Sequence, residues 1–158
     1  MQTKTSGRRK FEPEDVIGHS LFDFIDGVET RYLYRILFDK ARSEKKRVGP
    51  IPFRCDSPQE RRFLELTLDA LQDDSIKIVS ILVRSEPREE VDLLKVDVPR
   101  SKDLLVICSM CKKIELPSKE WVDIEEGLVR LGIFEKEKMP ALSHGLCEDC
   151  MTEIMKLL

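Results

Sequence analysis

The chain is short of the residues that most enzyme sites need. It has two histidines, two tyrosines and one tryptophan in 158 residues. His19 stands alone and His144 lies beside a cysteine cluster, which leaves little for a Cys–His or Ser–His nucleophilic pair. No phosphate-cradling glycine loop, G-x-S-x-G or H-E-x-x-H motif occurs. Long apolar runs are missing too. None approaches the roughly 20 residues of a membrane helix, so no membrane span is expected. The opening MQTKTSGRRKFEPEDV has no apolar segment of the secretory kind, so cytoplasmic residence with reduced cysteines is the expectation. Nor does one sign of charge dominate. With 27 basic against 30 acidic residues the net charge is −3, and a dedicated nucleic-acid domain is not expected. The stretch from Arg31 to Arg62 is locally basic; it reads first as a solvated helix face and loop, and only second as a phosphate-binding surface.

What the chain does have is cysteine in pattern. Four of its five cysteines form two pairs, Cys108-Ser-Met-Cys111 and Cys147-Glu-Asp-Cys150. One CxxC turn brings two sulfurs within reach of a single ion, and two turns supply the four thiolates of a tetrahedral site. A metal site on Cys108, Cys111, Cys147 and Cys150 is expected, with structural zinc as the first reading. An iron or iron–sulfur centre and a metal-free thiol switch are the alternatives. Catalytic zinc keeps one position open for water, whereas four cysteines close the site. The centre is therefore expected to be structural and the chain not to be an enzyme. The interval from Cys111 to Cys147 exceeds the roughly 15–20 residues of compact four-cysteine fingers, so the intervening residues must form the body of the module. His144 could replace a cysteine, but with four thiolates present it is expected to hydrogen-bond a sulfur or a carbonyl behind them. Lys112 is expected to offset the negative charge of a zinc tetrathiolate. Cys55 is the odd thiol. It reads as a small buried apolar residue at a turn, or as a reactive thiol favoured by Arg54, Arg61 and Arg62 nearby.

Residues 1–13 are polar and aperiodic and read as a flexible arm. Ser20 and Asp23 have capping-box spacing ahead of a short helix over Leu21–Ile25; Asp26 and Glu29 repeat it ahead of a helix from Val28 to Lys45, ended by Gly49-Pro50. Leu33, Ile36, Leu37 and Ala41 share one face of that helix. Ile51–Arg54, Arg62–Leu68 and Ile76–Val83 read as strands of an antiparallel meander. Residues 86–103 form a charged linker, with a short helix near Val91–Leu94. From Leu104 the metal module begins. Trp121–Leu131 is expected to be helical, Gly132 and Pro140 to punctuate a loop, and Met151–Leu158 to form a second helix. The expected fold class is α+β: two helices and a three-stranded antiparallel sheet over 14–85, then a zinc-stapled helical module over 104–158.

Two stretches carry a family likeness. Val16-Ile-Gly-His-Ser-Leu-Phe-Asp-Phe-Ile25, the long helix, Pro52-Phe-Arg-Cys-Asp-Ser-Pro58 and the Leu64–Val83 strands resemble the second half of a PAS domain. Ile107-Cys-Ser-Met-Cys-Lys-Lys-Ile114, Trp121 with Glu125, and Ser143-His-Gly-Leu-Cys-Glu-Asp-Cys150 resemble a small cysteine module found downstream of PAS domains in bacterial signalling proteins. The resemblance implies a regulatory protein of bacterial signal transduction that acts through protein contacts. PAS domains begin with two more strands than this chain offers. The sheet is thus expected to keep an open edge, which suggests a homodimer or another protein partner, and no haem or flavin is expected. A thiol, zinc or metal sensor and a nucleic-acid-binding regulator are the other functional readings.

Overall fold

Glu12 and Pro13 open a short helix, α1 (Pro13–Val16), and the computed structural model describes residues 12–158; the rest of the expected N-terminal arm lies outside the described residues. Ser20 and Asp23 form the reciprocal box that their spacing predicts. The Ser20 hydroxyl accepts from the Phe22 N–H at 3.3 Å, the Ser20 N–H donates to the Asp23 carboxylate at 3.3 Å, and a 3-10 turn runs over Leu21–Phe24. The long helix is α2 (Val28–Glu44). Its N-cap is Gly27 rather than the expected Asp26. Gly27 has φ 86° and sits so close to β-structure that an added Cβ would lie 2.4 Å from the His144 carbonyl oxygen.

The helix stops at Lys45, in the left-handed region with φ 51°, before it reaches Gly49-Pro50. Those two residues instead lie inside β1 (Val48–Arg54), where the register shifts between Val48 and Ile51. Pro50 and Pro52 fit there because β1 is an edge strand, with no neighbour on one side to ask for their missing donors. β2 (Glu60–Ala70) pairs antiparallel with both β1 and β3 (Ile76–Pro87), giving the order β1-β2-β3. The alternation of β2 buries Leu66 and Leu68 against Leu33, Leu37 and Ala41 of α2, together with Val48 and Ile51. Each such leucine, fully buried, contributes about 1.5–3 kcal/mol.

The second half is not the helical module that the sequence suggested. It is built on a four-stranded mixed sheet in the order β6-β5-β4-β7, from β4 (Arg100–Cys108), β5 (Ile114–Glu115), β6 (Trp121–Val122) and β7 (Met139–Gly145). Helix α3 (Ile124–Arg130) lies on the crossover that makes β7 parallel to β4, and α4 (Glu148–Lys156) follows β7. Trp121 belongs to a strand because the turn at Lys119, with φ 72°, folds it back onto Glu115. Ile124 and Leu128 of the expected stripe are buried in α3, and Leu131 packs beside them.

The expected linker is also part of the packed molecule. Val91 and Leu93 are buried with Leu105, Ile107, Ile114, Leu128 and Ile133 in the second core. The Val91 N–H donates to the Pro58 carbonyl at 2.9 Å. The first core ignores the boundary between the halves altogether. Cys108, Met110, Cys147 and Ile154 fill the same cluster as Leu33, Leu37, Ile51 and Leu68.

Candidate metal centre

β4 delivers Cys108 at its last residue, and the chain then turns sharply. The Cys108 N–H donates to the Lys113 carbonyl at 2.8 Å and the Lys112 N–H to the Cys108 carbonyl at 3.1 Å, while Lys112 takes the left-handed φ of 64° that the turn requires. The second turn grows from β7 into α4. Cys147 caps that helix, and its sulfur accepts from the Cys150 N–H at 3.4 Å. The Cys147 N–H in turn donates to the Cys108 sulfur at 3.4 Å. The turns meet, and the sulfurs of Cys108, Cys111, Cys147 and Cys150 all lie within 4.8 Å of one another. Cys111 and Cys147 are 3.7 Å apart. A tetrahedral ion with metal–sulfur bonds of about 2.3 Å sets its sulfurs about 3.8 Å apart, so the four residues fit a metal ion of that size.

The electrostatics fit a cation as well. Hydrogen bonds from Cys111 and Cys150 pull the Cys108 thiol far below its usual pKa, and the same contacts push Cys111 up to about 12 and Cys150 higher still. One thiolate thus forms while its neighbours keep their protons to hydrogen-bond it, and a bound cation would take the place of those protons. Two backbone N–H groups aimed at sulfur and the N-terminus of α4 add fixed positive dipoles. The Lys112 ammonium donates to the Ser109 carbonyl at 2.7 Å. Burial lowers its pKa, opposed by the nearby Cys55, Cys108, Asp56 and Cys111.

His144 does not support the sulfurs as expected. Its Nδ1 is 3.9 Å from an Asp26 carboxylate oxygen and has no hydrogen-bond partner among the described residues. Strand β7 places it in a cleft of about 280 Å³ with Asp26, Tyr34, Cys55 and Lys112, and the backbone supplies the N–H···S bonds instead. Cys55 is not the buried residue of the first reading. It is exposed at the end of β1, and the Arg62 guanidinium donates to its carbonyl at 2.7 Å and reaches its sulfur at 3.9 Å. It stands apart from the four-cysteine cluster.

Sequence reasoning missed the residues that tie the centre to the sheet. Arg54 donates its backbone N–H to the Met110 carbonyl at 2.7 Å and a guanidinium N–H to the Cys111 carbonyl at 3.2 Å. Arg54 also pairs with Asp56, which pairs with Arg88 at 2.8 Å, and Arg88 in turn pairs with Glu125 of α3. Thr30 of α2 shares a hydrogen bond of 2.9 Å with Ser109 inside the first turn. Nothing in the charge-rich run around Arg88 marked it as buried. No protein family, curated protein or solved structure matches the chain. Beside the centre, a groove of about 460 Å³ runs between Phe63 of β2 and Ile154 of α4, past Cys111, Cys147 and Cys150. No helix among the described residues is long and apolar enough to cross a membrane.

Proposed function

We propose that this chain is a non-enzymatic regulatory protein of bacterial signal transduction, acting in the cytoplasm as a homodimer through protein contacts. A PAS-like unit over residues 14–85 is fastened by structural zinc on Cys108, Cys111, Cys147 and Cys150. The convergence of four sulfurs within 4.8 Å carries this reading. Bound there, zinc supplies four metal–thiolate bonds and no open position for a substrate. The chain's own residues do the rest. Cys108 and Cys147 fill the core beneath α2, Arg54 clamps the first turn to β1, and Thr30 clamps it to α2. The ion thus governs the shape of the surface that a partner meets. The PAS-like part of the reading is supported by the motif likeness of Val16–Ile25 and Pro52–Pro58.

A second reading, a thiol–zinc redox sensor, is favoured by the partial exposure of Cys111 and Cys150 on the groove and by exposed Cys55 beside Arg62. Hydrogen peroxide would take two electrons from a pair of thiolates and two protons from solvent, breaking its O–O bond to leave as two waters, while the two sulfurs form one disulfide and release the ion. The basic stretch gives a nucleic-acid reading weaker support, since half of its ten cations, Lys40, Lys45, Arg47, Arg54 and Arg61, pair with carboxylates. Zinc release under graded peroxide, followed with a chromogenic chelator, separates the first two. The structural reading predicts retention until the fold is lost; release from a chain that stays folded and regains zinc on reduction contradicts it.

A further inference from the structure

The two edges of the first sheet are treated differently. On the β1 side the first cysteine turn packs against the strand, and the Arg54 N–H is satisfied by the Met110 carbonyl. On the β3 side no further strand pairs among the described residues, so the backbone groups of a 12-residue strand face outward. Soluble proteins blunt such edges with short strands, charge or proline. β3 carries such residues toward its ends, in Lys77, Arg84, Glu86 and Pro87, but its middle exposes Ile81, Leu82 and Val83 at 58%, 55% and 56%.

We infer that β3 is the seam of the homodimer: two copies pair antiparallel along it about a two-fold axis at Ile81, making one six-stranded sheet. The inference rests on the homodimer reading above and names its surface. The occupant is argued from charge and register. Leu82 pairs with Leu64 and Arg84 with Phe63, which leaves Val83 without a partner on β2, a bulge of one residue. That extra residue shifts the alternation of side chains beyond it. With the two Ile81 residues facing each other, Lys77 then falls opposite the second copy's Glu86 and Val79 opposite its Arg84. All four share the face of the sheet that points away from α2. A two-fold axis makes each contact twice, so at both ends of the seam Lys77 joins a Glu86 that already pairs with Arg84 of its own strand, and no like charges stand directly opposite. The strand is complementary to itself: its basic Lys77 falls opposite its acidic Glu86 across the axis.

Sedimentation equilibrium of the full zinc-loaded chain, read alongside concentration-dependent amide exchange, tests this. The wild type is expected to be a dimer whose β3 amides gain protection as concentration rises. Lys77→Glu and Glu86→Lys should each weaken the dimer about tenfold, and the double reversal should restore it. Circular dichroism checks that each variant is folded. A dimer that neither reversal weakens, with β3 amides indifferent to concentration, overturns the seam and leaves the homodimer standing. A chain that is monomeric at every concentration overturns the homodimer itself.

Discussion

Asp56 and Arg88 have side chains that are each only 1% exposed, and each is tolerable there because the other is present. Removing one partner strands a buried charge. Asp56→Ala is therefore expected to lower unfolding free energy by about 3–5 kcal/mol, read from urea midpoints. A loss within the range of surface substitutions, about 0.5 kcal/mol, would mean that the network between the β1–β2 turn and α3 is not holding. His144 makes a second residue-scale claim. Burial and the Lys112 ammonium pull its pKa below the ordinary 6.5, with Asp26 opposing. The folded chain then takes up this proton less readily than the unfolded one, so the contribution of neutral His144 is fully present above the ordinary value and is lost as pH falls from there through the lower folded value. Its imidazole resonances should titrate with a midpoint below 6.5; a midpoint above it contradicts the assigned surroundings.

At the scale of elements, the contact between α2 and β7 rests on a missing side chain. Gly27 and Gly18 have nearly the same positive φ, 86° and 85°, but a Cβ on Gly27 meets the His144 carbonyl at 2.4 Å while one on Gly18 meets nothing within 4 Å. Gly18→Ala should cost only backbone strain, about 1–2 kcal/mol, and Gly27→Ala clearly more. Equal shifts in melting temperature would show that α2 does not need that close approach. These elements also show what a sequence can tell. α2 and the β1–β3 meander were legible because Leu33, Leu37 and Ala41 keep helical spacing while Leu64, Leu66 and Leu68 alternate. β7 was not. Its Ser143, His144 and Gly145 carry no apolar alternation, and Pro140 looked like punctuation, because its identity as a strand comes from pairing with distant β4. Val91 and Leu93 were hidden between Glu89, Glu90 and Asp92 for the same reason, since their burial depends on a sheet formed later in the chain. The four cysteines were readable because metal geometry is local to each turn. The fate of His144 and Cys55 was not, because it depends on which way a strand and a turn face.

For the whole molecule, the consequence is one packed unit rather than a self-sufficient sheet with a metal appendage. Cys108 and Cys147 belong to the core that α2 and the first sheet use, so Cys108→Ser should loosen both halves. Limited proteolysis and amide exchange are expected to show protection falling over residues 14–85 as well as beyond 104. Undisturbed protection in the first part would contradict the shared core. Structural zinc contributes on the order of 10 kcal/mol to small modules, enough to decide whether this unit holds. The central claim is that a single ion on four thiolates closes it. Native mass spectrometry of the full chain, purified without added metal and paired with a thiol titration, tests that claim most directly. The account predicts one zinc per chain and one reactive thiol, Cys55, out of five cysteines; a folded, metal-free chain with all five thiols reactive would contradict it.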